Sequence, residues 1–93
     1  MNKYQYLNEK FSGAVRSLAI STESLQDRLA DAYVHHICHV KDQPMPEEIK
    51  EKFDLLCKIF ASGVSDMTIE EATSFIDDII YIAEITTKAY YQV

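Results

Sequence analysis

Apolar residues recur every three or four positions along almost the whole chain, and that period admits helices far more readily than strands. Tyr4, Leu7, Phe11, Ala14 and Leu18 keep this step, with Val15 widening the stripe, which predicts an amphipathic helix over 4–20. Carried on unbroken, the register would seat Ser21, Arg28, His35 and His39 in an apolar seam, so the pattern breaks near Ser21. Ser21 is then expected as the N-cap of a second helix, 22–41, with Glu23 in its first turn and Ile20 stapled onto Leu25. Leu25, Leu29, Ala32, Tyr33, His36 and Val40 make up its predicted core face. It must stop before Pro44, because the residue preceding a proline disfavours the α region. The junction between these two helices lacks Gly and Pro, and one long kinked helix is the alternative there.

The third helix is predicted over 46–61, opening on Pro46, whose missing N–H costs nothing in a first turn. Its stripe is Ile49, Phe53, Leu56 and Phe60, with Glu48–Lys52 and Asp54–Lys58 as i,i+4 ion pairs on the wet side. Gly63 is expected to end it in the left-handed conformation. Thr68-Ile69-Glu70-Glu71 fits a capping box, which starts a last helix over 69–90. Ala72, Phe75, Ile76, Ile79, Ile82, Ala83 and Thr86, extending to Tyr90, form its core face. The isoleucines leave a strand after residue 80 as the alternative, outweighed by the three-four spacing over five turns. A chain of 93 residues supports one core, with a radius of gyration of about 12 Å. The expected architecture is all-α: a single domain, 1–93, folded as a four-helix up-down-up-down bundle. Only two glycines and two prolines punctuate it, too few for a strand-rich sandwich.

Net charge is −6, which argues against nucleic-acid binding through a broad cationic face. The longest apolar run, Ile79 to Ala83, is far short of the roughly 20 residues a membrane span needs. The opening residues show no apolar signal core. Cys38 and Cys57, on antiparallel neighbours, would be offset by roughly 12 Å along the helix axis, too far for a disulfide. Free thiols and no export signal together predict a cytoplasmic protein.

His35, His36 and His39 cluster at the end of the second predicted helix, with Cys38 among them. On an unbroken helix Asp31, His35 and His39 form one i, i+4, i+8 stripe, and such a stripe offers a metal two imidazoles and a carboxylate. His36, by contrast, points into the core face. Arg28 and His35 stand in R-x6-H spacing, which resembles the ribonuclease motif of HEPN-type helical domains; the match covers these two residues, and Leu29 follows the arginine where that family has a polar residue. The resemblance implies RNA cleavage by Arg28 and His35. No phosphate loop, paired-glycine turn or nucleophile elbow occurs, so no cofactor is implied, and a non-enzymatic role is expected.

Charge is unevenly placed. Residues 1–46 carry five bases and five acids, whereas 47–93 carry four bases and ten acids. With Ile79 at the core centre of the last helix, Asp77, Tyr81, Glu84 and Lys88 fall on the far side, flanked by Ile80, Ile85 and Tyr91. An aromatic centre in an acidic face bordered by isoleucines marks an interface, so Asp77, Ile80, Tyr81, Glu84, Ile85 and Tyr91 are the candidate partner-binding residues. Ala30, Val34, Ile37 and Cys38 give the second helix a further apolar side, which points to a homodimer or a dedicated protein partner. The expected function is that of a small helical interaction or regulatory protein, comparable in size and charge to inhibitors, immunity proteins and antitoxins. The alternatives are a metal-binding or HEPN-like domain built on the histidines, and a homodimeric structural protein.

Overall fold

The structure, a computed structural model, describes residues 3–91. Its elements are α1 (Gln5–Ile20), α2 (Leu25–His35), a short 3₁₀ helix (Ile37–Val40), α3 (Glu47–Ser62) and α4 (Ile69–Tyr91). The fold is all-α, with four α-helices and no strand among the described residues. The radius of gyration is 12.7 Å.

Side-chain pairs show how the helices run. Gln26 Nε2 donates to the Met67 carbonyl at 2.6 Å, while Tyr33 stacks on Phe60 at 4.1 Å between ring centroids, so residue numbers fall along α3 as they rise along α2. Phe60 meets Phe75 edge-on at 4.9 Å, and Lys52 Nζ reaches Asp78 Oδ1 at 3.1 Å, which sets α4 antiparallel to α3. Thr87 Oγ1 donates to Asn8 Oδ1 at 2.7 Å, tying the end of α4 to the start of α1. These pairings fit the expected bundle. One cluster of buried side chains joins them: Leu7, Phe11 and Ala14 of α1, Leu29 and Ala32 of α2, Ile49 and Phe53 of α3, and Ile79 and Ile82 of α4. Thr86 is the buried polar residue of this core, and its hydroxyl donates back to the Ala83 carbonyl at 2.9 Å.

The second predicted helix is where the structure departs most. Ser21 is the C-cap of α1, its N–H donating to the Ser17 carbonyl, and Ser24 is the N-cap of α2, accepting from Asp27 N–H at 3.1 Å. Residues 21–24 thus separate two helices, which removes the single kinked helix. Ile20 is left 70% exposed and does not staple. At its other end α2 stops at His35, because His36 leaves helical geometry at φ −131°, ψ −62°. In the 3₁₀ helix that follows, residues three apart eclipse one another, so Ile37 and Val40 enter the core together. A continuous α-helix would have turned Ile37 about 90° away from that core face, onto the further apolar side expected of the second helix.

Elsewhere the differences are small. Pro46 caps α3 from just outside it. Lys52 pairs with Asp78 of α4 in place of Glu48, Lys50 pairs with Glu47 at 3.0 Å, and the expected Asp54–Lys58 pair is not among the ion pairs of the described residues. Gly63 takes the positive φ, +92°, with an extended ψ of 148°, a region open essentially to glycine alone. The capping box is formed: Thr68 Oγ1 accepts from Glu71 N–H and Glu71 Oε1 from Thr68 N–H, both at 3.0 Å. The Thr68 backbone N–H and, with it, the Thr68 hydroxyl hold the Glu71 carboxyl below its ordinary pKa. The last helix is continuous through residue 80, with no strand.

Candidate interaction surface

Helix α4 is apolar on more than one side, and its neighbours divide the six candidate residues into separate groups. Towards α1, Ile80 and Glu84 border a groove of about 590 Å³ that Ser12 and Val15 close from the other bank. Towards α3, Tyr81 remains 42% exposed, and Lys52 Nζ sits 5.3 Å from its ring centroid while also holding Asp78. The aromatic ring is therefore at the α3 margin, beside a cation, and not at the centre of an unbroken acidic face. Ile85 is half-buried against the core. Asp77 is exposed on the outer side. Tyr91 is exposed near the far end, meeting Tyr90 edge-on at 4.9 Å.

The α3 margin carries two residues absent from the candidate set. Leu55 and Ile59, one turn apart, are 54% and 40% exposed. They follow Lys52 on the same edge of α3, at spacings of three and four. Both were visible in the sequence as apolar residues outside the Ile49–Phe53–Leu56–Phe60 stripe. Ile59 borders a hollow of about 470 Å³ with Met67, Phe75 and Asp78, and Glu70 and Glu71 stand on its rim.

The expected Asp31–His35–His39 stripe is not formed. With α2 ending at His35, His39 lies on the 3₁₀ helix and the i, i+4, i+8 stripe is broken. Among the described residues no group of three His, Cys, Asp or Glu side chains is placed to hold a metal ion. Asp31 instead neighbours Glu23, whose pKa is raised by a hydrogen bond shared with the Asp31 carboxylate and by its repulsion. Arg28 Nε donates to the Glu23 carbonyl at 2.7 Å, and His35 is exposed at the end of α2.

His36 has a structural setting. It is half-buried rather than central to the core, and its Nε2 lies 3.0 Å from Ser17 Oγ. The ring lies against Gly13, where a Cβ would come within 2.7 Å of Nδ1. A side chain at this position would displace the imidazole from its place against α1. Burial lowers the His36 pKa, reinforced by the charges of Lys10, His35 and His39.

Cys38 and Cys57 are free thiols, both half-buried, and burial pushes the Cys57 thiol up. Among the described residues no helix is long and apolar enough to cross a membrane. Comparison with known proteins finds no family model, no curated protein and no solved structure that matches this chain.

Proposed function

We propose that this chain is a small cytoplasmic interaction protein that acts by occupying the surface of a partner protein, as an inhibitor, immunity protein or antitoxin does. The observation that carries the reading is the exposed aromatic and aliphatic margin where α4 meets α3. There Tyr81, Leu55 and Ile59 leave apolar surface open to water beside Asp78 and Glu70. Large exposed apolar side chains gathered on one side serve association, since isolated ones scattered over a surface need no such explanation. The acids beside them steer a basic partner and set its register. The test is affinity capture from native lysate by the wild-type chain and by Tyr81→Lys, each confirmed as folded by circular dichroism. The reading expects one protein enriched on the wild type and lost on the variant. Equal capture by both contradicts it.

A homodimer is the second reading, favoured by the apolar groove between α1 and α4. A two-fold contact there would bury Val15 and Ile80 of both copies. Light scattering coupled to size exclusion decides: a strict monomer at tens of micromolar removes it.

A further inference from the structure

The α3–α4 margin is a trough with a direction. Its main hollow, bounded by Ile59, Met67 and Asp78, continues into a smaller one of about 300 Å³ that shares Ile59, Met67 and Glu71 and runs out towards Gly63 and Asp66. Along α4 the main hollow is lined from Glu70 to Asp78, eight residues or about 12 Å at 1.5 Å per residue of helix, and Tyr81 stands three residues beyond it. The main hollow has an apolar floor, the smaller one is lined largely by polar residues, and acids stand along the rim of both. Along that rim Asp78 is neutralised by Lys52, and Glu71 is engaged in the cap of α4. Asp66 and Glu70 are different: among the described residues neither forms an ion pair nor a side-chain hydrogen bond. The unanswered negative charge therefore lies at the end nearest the α3–α4 turn, while the other end holds the Lys52 cation over Tyr81.

Resting on the partner-binding reading above, we infer that this trough takes an amphipathic helix of another protein, in contact over about two to three turns, whose apolar edge lies on Ile59, with exposed Leu55 one turn away along α3, and whose Lys or Arg side chains reach Asp66 and Glu70. A groove between two helices receives the side-chain ridge of a third, and anchors at i, i+3, i+4 and i+7 match its length. Cationic side chains answer the two unpaired carboxylates, which an acidic or uncharged helix would bury or leave unmet. The trough is thus selective by charge as well as by apolar fit.

The probe is a synthetic amphipathic helix of about 14 residues with leucines on one edge and lysines flanking them, titrated into the isotope-labelled full chain and followed by amide chemical shifts. Its control keeps every leucine and replaces each lysine by glutamate. The lysine peptide is expected to bind saturably, shifting amides around Ile59, Met67 and Ser74, and the glutamate peptide to bind at least about tenfold more weakly. Ile59→Lys and Leu55→Lys each abolish binding, the paired Asp66→Lys and Glu70→Lys changes weaken it about tenfold, and Val15→Lys in the other groove leaves it unchanged. Equal binding of the two peptides, shifts centred on Ser12 and Val15, or no saturable binding overturns the inference. Dilution-dependent shifts that the peptide does not compete, the mark of a second copy in the trough, overturn it too. Failure here with a lysate partner still lost on Tyr81→Lys ends the helix-in-trough inference alone and leaves the broader reading in place.

Discussion

Helix α4 has two flanks, and they are packed to different ends. On the α1 side, Leu7, Phe11 and Ala14 are fully enclosed against Ile79 and Ile82, and Thr87 is tied to Asn8. On the α3 side, Phe53 and Leu56 go into the core while Leu55 and Ile59 stay in water, and the links across are the Phe60–Phe75 contact and a half-exposed ion pair. The same isoleucine-rich helix thus supplies stability on one flank and leaves a surface on the other. Apolar content alone does not distinguish these uses; what the neighbouring helix presents does.

The sharpest test of this contrast is to truncate both flanks. Phe11→Ala removes a fully buried ring that meets Phe53 edge-on, and should cost about 3–5 kcal/mol in denaturant unfolding. Leu55→Ala should change stability by no more than about 0.5 kcal/mol. A comparable loss at both positions would mean that the α3 flank is core after all.

The closed character of α1 extends to its contact with His36. Gly13→Ala places a methyl group within 2.7 Å of the imidazole and should destabilise by about 1–3 kcal/mol. In a His36→Ala background the same change should become stabilising by about 0.5–1 kcal/mol, because helical alanine then replaces glycine without a clash. A double-mutant cycle in thermal unfolding reads the change of sign. Ser24→Ala should cost about 1 kcal/mol by loss of the α2 cap, and Ser21→Ala clearly less.

Two smaller effects refine the picture. The folded chain holds the His36 pKa below the unfolded value of 6.5, so its contribution to stability is complete above that pH. That contribution is lost as pH falls through the folded value. Unfolding measured from neutral to mildly acidic pH should fall less steeply for His36→Gln than for the wild type. Lys52→Ala, which removes a half-exposed ion pair, should alter stability by less than about 1 kcal/mol. It should nevertheless tighten binding of the lysine peptide, since it frees Asp78 and uncovers Tyr81.

Much of this was legible in the residues themselves. The three-four spacing located all four helices, the Thr68–Glu71 box opened α4 where it was expected, and Gly63 marked the end of α3. The second helix was misjudged because its boundaries have no Gly or Pro. Ser21 and Ser24 are both competent caps, and the choice between them depends on how Leu25 and Leu29 meet α1. The stop at His36 is a tertiary event: it is made possible by the bare backbone of Gly13 and by Ser17, two residues a full helix away. For the surface, the wheel of α4 located Tyr81 but could not show that Lys52 would cover it. It also could not place Leu55 and Ile59 beside it, since a single helix says nothing about its neighbour's edge.

On the proposed function, the α3 flank of α4, and not the α1 flank, is the working surface. Its most direct test is quantitative partner capture from native lysate by two folded variants, Ile59→Lys and Ile80→Lys. Ile59→Lys should lose the captured protein while Ile80→Lys retains it. Loss on Ile80→Lys with full retention on Ile59→Lys would contradict it and move the working surface to the α1 groove.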